Sequence, residues 1–277
     1  MSGNALSAAD RREIDRIRSR GGTWHALGEF RRVIGAMIAR EAVVRYGRSR
    51  LGYLWAFVEP SLFFAMFLVI RSLISDRVPF GESGVFFLMS GILTVRVTLT
   101  ISRRMMTAIT GASALMTFPG INPFDAIVAR GAIEVLTMVT VLVVFYALVV
   151  VGSDTIALHH AVDFTLALLA LVVLSAGVGC FNAVTVILFP PWSIFIGLLG
   201  FPLLLTSGVF YVPATLPPEY LAILTWNPIL HSAEWFREAT YLSYSETLDR
   251  LYPVKFGLIA GGLGIVGTRL FHTRILE

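Results

Sequence analysis

Residues 40–60 read REAVVRYGRSRLGYLWAFVEP, and this stretch passes from a basic helical segment into an apolar one through a junction rich in glycine and aromatic residues. Within this stretch, four arginines lie before Gly52. Basic residues that flank an apolar segment indicate the side from which the segment enters a membrane. The stretch therefore predicts a membrane protein whose first span begins near Tyr53, with its basic end in the cytoplasm.

The composition of the whole chain agrees with a membrane location. Of the 277 residues, 56% are hydrophobic and 14% are charged, and the mean hydropathy is +0.77. Soluble domains carry about 25% charged residues. Residues 1–26 contain neither an apolar core nor a small-residue cleavage site, so we expect the first span to act as an uncleaved insertion signal. The single cysteine, Cys180, excludes an intrachain disulfide.

Six segments have the length and apolar character of membrane spans, for which roughly 17–25 residues are needed. They cover about residues 53–75, 85–101, 127–151, 162–189, 193–212 and 254–271. The fifth contains Pro202 and several glycines, which predicts a kink. We therefore expect an all-α integral membrane protein with six transmembrane helices, whose transmembrane domain covers residues 53–271.

Arginines collect at alternate loops, and this asymmetry predicts the topology. Residues 1–52 hold eleven arginines, whereas residues 152–161 hold no basic residue. Both termini are therefore expected in the cytoplasm, with residues 1–26 forming a charged cytoplasmic segment. The net charge is +4. Because the basic residues flank hydrophobic spans, no nucleic acid is expected as a partner.

Two further regions are amphipathic without being spans. In residues 27–50, five apolar residues share one helical face: Leu27, Phe30, Ile34, Met37 and Val44. This face predicts an interfacial helix in the headgroup plane, and packing on a protein partner is the alternative. Residues 216–226 and 229–243 predict two short helices, separated by Asn227-Pro228. They fit a re-entrant helical pair before the last span, with an outer lid on lipid as the alternative.

Sequence motifs for nucleotide hydrolysis and covalent catalysis are absent. The only lysine, Lys255, follows no glycine-rich loop, so a P-loop is excluded. Neither G-x-S-x-G, H-E-x-x-H nor a metal-ligand spacing occurs. Five glycines of the sixth segment, three of them in G-x-G-x-x-G spacing, are interpreted as helix-packing residues: Gly257, Gly261, Gly262, Gly264 and Gly267.

Charged residues inside spans are costly in hydrocarbon, and each suggests a functional role. Arg96 lies in the second segment, about 10 Å from Arg103 along a helix. It either extends its head group to the interface or faces a polar pathway. Glu59 lies near the start of the first segment.

The opening stretch also resembles the first span of ABC-2 type transporter permeases, and most of all the permeases that export capsular polysaccharide. The residues that carry the resemblance are Arg40-Glu41, Arg45-Tyr46-Gly47, Ser49, Leu51-Gly52-Tyr53-Leu54-Trp55 and Glu59-Pro60. The likeness covers about residues 25–275. It includes the interfacial helix, the six spans and the broken helical pair before the last one.

The resemblance implies a subunit of a multi-pass exporter in the bacterial inner membrane, paired with a second copy of itself and two ATP-binding subunits. ATP and Mg²⁺ would be bound by those subunits, and this chain would need no cofactor. A lipid-linked polysaccharide is the implied cargo, and a periplasmic co-polymerase and an outer-membrane export protein are further implied partners. O-antigen or teichoic acid is the alternative cargo. An ion-driven secondary transporter would need mid-membrane carboxylates and internal repeats, and neither is evident.

Family members dock a cytoplasmic loop between spans two and three into the ATPase subunit. In this chain the corresponding coupling residues are Phe118, Pro119, Asn122, Pro123 and Asp125. Asn122 or Asp125 would cap the coupling helix. An ordinary turn into the third span is the alternative.

Six residues form the predicted substrate gate: Arg45, Arg48, Arg50, Tyr53, Trp55 and Arg96. Arginine binds phosphate through two parallel hydrogen bonds, which suits the anionic head group of a lipid-linked glycan. Membrane orientation alone is the alternative role of the three clustered arginines. The outer re-entrant helices carry Trp226, His231, Glu234 and Arg237, which are similar to the outer-face segment of capsule exporters. Aromatic belts at membrane interfaces explain the aromatic residues equally well.

Overall fold

The computed structural model describes residues 23–46, 51–74, 80–81, 84–116, 121–152, 159–241, 244 and 249–272. Within these ranges the regular elements are helices, with no strand. The α-helices are α1 Thr23–Tyr46, α2 Leu51–Ile74, α3 Gly84–Met106, α4 Ala108–Gly111, α5 Pro123–Val151, α6 Ala161–Leu188, α7 Trp192–Leu198, α8 Gly200–Thr206, α9 Pro218–Leu224, α10 Pro228–Glu238 and α11 Leu251–Leu270. Short 3-10 helices cover Ser113–Leu115 and Pro213–Thr215.

Four of the described helices, α3, α5, α6 and α11, are long and apolar enough to cross a membrane. α2 contains 24 residues, with Pro60 inside it and an apolar helical stretch over Phe57–Phe67. The helices α7 and α8 contain seven residues each. The all-helical class predicted from the sequence is confirmed, and the total of six spans remains a prediction.

Helix α3 lies at the centre of the described bundle. In its most apolar window 72% of the residues are buried, against 28% in that of α11. Its buried side chains, among them Phe86, Leu93 and Ile101, belong to clusters that also contain side chains of α5, α6 and α10. α3 is therefore largely enclosed by protein, whereas α11 is peripheral.

Helices α6 and α11 touch backbone to backbone. A Cβ atom added at Gly177 of α6 would lie 1.9 Å from the carbonyl oxygen of Gly257, and one added at Gly264 would lie 2.7 Å from Cys180 Sγ. Only glycine permits such an approach. The interpretation of the sixth-segment glycines as packing residues is confirmed for Gly257 and Gly264. It is wrong for Gly262, where a Cβ would meet no atom of the described residues within 4 Å.

The fifth predicted span, residues 193–212, is interrupted and ends early. A turn at Leu199 separates α7 from α8, and α8 ends at Thr206. Gly208 has a φ of 68°, a left-handed conformation that glycine adopts without steric penalty and that commonly follows the end of a helix. The helical part therefore rises only about 20 Å, less than the roughly 30 Å of a bilayer core.

An arginine of α3 makes hydrogen bonds with backbone carbonyls next to the break in the fifth segment. Arg103 Nη2 donates hydrogen bonds to the carbonyl oxygens of Ile196 at 3.2 Å and Gly197 at 3.1 Å. These carbonyls lie in the last turn of α7, where backbone acceptors lose their helical partners. The end of α3 therefore provides hydrogen-bond donors to the backbone at the junction between α7 and α8.

Helix α1 packs against the N-terminal part of α5. Met37 is buried in a cluster with Ala112, Ala126 and Ala129. Val44, which the sequence places on the same apolar face, is 64% exposed. The part of that face around Met37 is thus covered by protein of the same chain. Residues 1–22 and the side chains of Leu27 and Phe30 lie outside the described residues.

Candidate functional site

An ion pair joins α2 and α3 well inside both helices. Arg96 Nη2 donates to Glu59 Oε1, and the guanidinium carbon lies 4.8 Å from the centre of the Phe63 ring. The Glu59 side chain is 56% exposed and that of Arg96 25%. Glu59 follows the start of α2 by eight residues, and Arg96 precedes the end of α3 by ten. Both therefore lie about 12–15 Å from a helix end.

A small crevice of about 30 Å³ adjoins this ion pair between α2, α3 and α5. Its polar lining consists of Glu59, Arg96, Thr100 and Arg104. The crevice has room for about one water molecule. Within the described residues, Arg104 makes no ion pair, so the lining carries one uncompensated positive charge. Trp55, one helical turn before Glu59, is 66% exposed.

The remaining residues of the predicted gate are only partly described. Arg48 and Arg50 lie outside the described residues. Arg45 belongs to α1 and Tyr53 to α2, but their side chains are not described. Of the predicted gate residues, the structure places Arg96 in an ion pair with Glu59, and Trp55 lies one turn before Glu59 on α2. The role of the three clustered arginines stays a prediction.

The predicted coupling residues divide between described and undescribed positions. Asn122 precedes α5, its backbone N–H donates to Asp125 Oδ2 at 2.9 Å, and Pro123 occupies the first turn. These residues begin the long helix α5 four residues before the predicted start of the third span. Phe118 and Pro119 lie outside the described residues.

The sequence did not predict the two short helices that precede this point, α4 and the turn Ser113–Leu115. They lie against α5 close to Arg130, because a Cβ added at Gly111 would be 3.0 Å from Arg130 Nη2. Arg130 Nε also lies 3.1 Å from Glu41 Oε2 of α1, and the Glu41 side chain is 8% exposed. Arg130 therefore connects α1, α4 and α5 at one end of the bundle.

The segment predicted to lie on the outer side contains a fully buried ion pair on α10. Arg237 Nη1 donates to Glu234 Oε1 at 3.2 Å, and both side chains are 0% exposed. Arg237 also donates to Ser90 Oγ at 3.2 Å and to the Phe87 carbonyl oxygen at 3.1 Å, and its guanidinium carbon lies 3.7 Å from the centre of the Phe87 ring. The hydroxyl of Tyr244 donates to the same Glu234 oxygen. The pair fastens α10 to the first turns of α3.

The other two predicted outer residues have different environments. His231 is buried, and its Nε2 and Nδ1 atoms make hydrogen bonds with the Thr225 carbonyl oxygen and the Asp249 N–H. Trp226 is 79% exposed. His231 therefore holds the ends of α9 and α11 together, whereas the indole of Trp226 projects from the chain.

Residues 32–241 match the ABC-2 type transporter family, a range that includes both the Glu59–Arg96 and the Glu234–Arg237 pairs. The chain belongs to this family. The resemblance noted in the opening stretch is thereby confirmed. The long apolar helices of the chain agree with the membrane location of such a transporter subunit.

This ABC-2 transporter chain is similar to several capsule-related proteins over most of its length. It is 30% identical over 242 residues to the polysialic acid transport protein KpsM of Escherichia coli, which covers 87% of this chain and 93% of KpsM. It is 30% identical to the capsule polysaccharide export inner-membrane protein CtrC of Neisseria meningitidis serogroup B, over 77% of this chain and 81% of CtrC. It is 27% identical to BexB of Haemophilus influenzae, over 85% of this chain and 90% of BexB.

Sequence reasoning about this ABC-2 transporter chain singled out Glu59 and Arg96 but did not pair them. It did not identify Ser90 and the Phe87 carbonyl as hydrogen-bond acceptors for Arg237, because neither stands out in an apolar helix. Among the described residues, no group of three His, Cys, Asp or Glu side chains is arranged to hold a metal ion.

Proposed function

We propose that this chain is the transmembrane permease subunit of an ATP-driven exporter that moves lipid-linked capsular polysaccharide across the bacterial inner membrane. The observation that carries the proposal is the similarity, over 77–87% of this chain, to proteins of three species named for polysialic acid transport or capsule polysaccharide export. The half-exposed Glu59–Arg96 pair adds support, because it offers a polar surface well inside two apolar helices.

The proposed transporter contains two copies of this chain and two ATP-binding subunits. Because the sequence has no P-loop, ATP and Mg²⁺ are assigned to the partner subunits. A periplasmic co-polymerase and an outer-membrane export protein would carry the glycan further. Native mass spectrometry of the purified transporter is expected to find two copies of each inner-membrane subunit, and a one-to-two ratio would contradict this composition.

The proposed topology has six spans and both termini in the cytoplasm, with α9 and α10 as a re-entrant pair on the outer side. Support comes from the arginine distribution and from the lengths of α3, α5, α6 and α11. With Cys180 replaced by alanine, single cysteines at Ser19, His159 and Ser245 test it. An impermeant thiol reagent is expected to label only the last two, and labelling at Ser19 would contradict the topology.

We assign coupling with the ATPase to the segment from Phe118 to Asp125. Support comes from Pro123 and Asp125, which lie in the first turn of α5, since motion there would pass directly into a 29-residue helix. Phe118→Ala and Asp125→Ala are expected to lower export while insertion stays intact. Unchanged export at normal protein levels would return the segment to an ordinary turn.

The clustered arginines Arg45, Arg48 and Arg50 are assigned to the cytoplasmic gate, where a planar guanidinium binds the phosphate of the lipid anchor. The triple lysine variant keeps the charge but removes the bidentate geometry. We expect it to insert normally, to assemble with the ATPase and to export less. Full export would mean that the arginines serve orientation alone.

Deletion of the gene is the experiment that tests the proposed function as a whole. Capsular glycan on its lipid anchor is expected to accumulate inside the cell, and a plasmid copy of this chain is expected to restore export. Accumulation of O-antigen or a teichoic acid would favour the alternative cargo. Normal surface polysaccharide in the deletion strain would contradict the proposal.

A further inference from the structure

The Glu59–Arg96 pair is open on one side, although it lies about 12–15 Å from the nearest helix ends. The Glu59 side chain is 56% exposed, whereas both members of the Glu234–Arg237 pair are completely enclosed. A carboxylate that faces hydrocarbon is strongly disfavoured, and charged residues inside membrane helices face the bundle interior or a water-filled cavity. We therefore expect the open side of Glu59 to face a polar space rather than lipid.

Arg96 has hydrogen-bonding capacity that Glu59 does not use. The hydrogen bond to Glu59 comes from Nη2, and within the described part of the chain Nε and Nη1 make none. A guanidinium has five N–H donors in a fixed plane and can bind a carboxylate or a phosphate through two parallel hydrogen bonds. The ring of Phe63, 4.8 Å from the guanidinium carbon, supports one side of that plane.

The surroundings of Arg96 favour an anion attached to a sugar. The crevice lining contains two guanidinium groups, of Arg96 and Arg104, and one carboxylate, of Glu59. Its net charge is therefore positive. Trp55, 66% exposed, lies one helical turn before Glu59. Aromatic rings provide rigid apolar surfaces against which the face of a sugar ring can pack.

We propose that Arg96 binds an anionic group of the glycan in transit, and that Glu59 holds Arg96 in the resting transporter and is displaced when that group arrives. The ligand is a carboxylate of an acidic sugar or a phosphate of the lipid anchor. Exchanging one anionic partner for another keeps the charge of Arg96 paired, so that neither state contains an isolated charge within the membrane. The inference rests on the proposed function and specifies the chemical class of its cargo.

The two members of the pair have opposite expected effects, which a purely structural ion pair would not have. Glu59→Gln removes the competing carboxylate and should tighten anion binding by about fivefold, the scale of a partly exposed ion pair. Arg96→Gln removes the binding group and should weaken it at least about tenfold. Arg96→Lys keeps the charge without the planar geometry and should fall between wild type and Arg96→Gln.

Binding is measured by calorimetry on the full chain in lipid nanodiscs. The probes are oligomers of sialic acid, which supply carboxylates, and a short-chain polyprenyl phosphate, which supplies a lipid phosphate. Neutral maltose oligomers are the ligand control. Arg250→Gln, which removes a surface ion-pairing arginine far along the chain, is the protein control and should bind like wild type. Each variant is first compared with wild type by size-exclusion chromatography.

Opposed shifts with sialic acid oligomers alone would support the proposal and assign the site to acidic sugars. Opposed shifts with polyprenyl phosphate alone would support it and assign the site to the lipid anchor. Equal losses of anion binding in Glu59→Gln and Arg96→Gln would overturn the proposal, and so would unchanged binding in both. Dissociation of a dimer without any change in binding would overturn it as well. If Arg96→Gln does not fold, Arg96→Lys and Glu59→Gln provide the same opposed comparison.

Export in the deletion strain separates this inference from the proposed function. If the wild-type chain restores capsule export but its variants show no opposed shifts, only the anion exchange at Arg96 is overturned. If the wild-type chain fails to restore export, the proposed function is overturned. The anion site is then judged from the binding shifts alone.

Discussion

Replacing Arg237 by methionine is expected to lower the free energy of unfolding by about 3–5 kcal/mol, the cost of removing one member of a buried ion pair. Methionine keeps most of the side-chain length, so little of the loss should come from a cavity. The expected loss comes instead from Glu234, whose carboxylate stays fully enclosed after its cation has gone. The Ser90 hydroxyl and the Phe87 carbonyl each lose a donor as well.

A matched surface substitution provides the control for this prediction. Arg250 pairs with Asp163 and Glu238, but its side chain is 41% exposed. Arg250→Met should therefore cost less than about 1 kcal/mol. The double variant Arg237→Met, Glu234→Leu should recover much of the loss, because apolar side chains can replace a buried pair with little change in stability.

Unfolding of the purified chain is followed by circular dichroism during SDS titration in mixed micelles. The fitted free energies of wild type, the two single variants and the double variant are then compared. A loss for Arg237→Met no larger than that for Arg250→Met would refute the reasoning. It would mean that water or lipid head groups reach the pair in the membrane.

Three further predictions concern helix contacts. Gly257→Leu should disrupt the packing of α11 on α6 and sharply lower the yield of folded protein in size-exclusion chromatography, whereas Gly262→Leu should be tolerated. Glu41→Gln should loosen α1 and raise its rate of proteolysis by about tenfold, measured by gel and mass spectrometry, since it weakens a largely buried ion pair. Arg103→Gln should cost about 1–2 kcal/mol in the SDS titration, because two carbonyls of α7 lose their donor.

Features of the fold that depend on neighbouring residues could be predicted from the sequence. The break at Asn227-Pro228 separates α9 from α10 as expected, because proline lacks the N–H that a continuous helix requires. Gly257, Gly261 and Gly264 are spaced by four and then three residues, which places them on one helical face. This spacing predicts the close approach of Gly257 and Gly264 to α6. Such patterns act within a single helix.

Contacts between segments that are far apart in the chain could not be predicted from the sequence. Glu59 and Arg96 are 37 residues apart. Helical periodicity gives the face on which a residue lies but not the helix that will cover that face. The burial of Arg237 was unpredictable for the same reason, since a charged residue on a short amphipathic helix is usually solvated. The early end of the fifth segment depends on the left-handed backbone conformation of Gly208. This conformation could not be predicted, because the segment is largely apolar on both sides of Gly208.

The contact between Glu41 and Arg130 sets an order of events during synthesis of the chain. Glu41 leaves the ribosome 89 residues before Arg130, which at ordinary elongation rates is roughly 5–20 s earlier. Throughout that interval the acidic side chain of α1 has no access to its cation on α5. If α2 is the first span, as proposed, it enters the bilayer while α1 is still undocked, and α1 takes its final place only after α5 has been made. A chain truncated before Arg130 should consequently insert its first span yet leave α1 open to proteases.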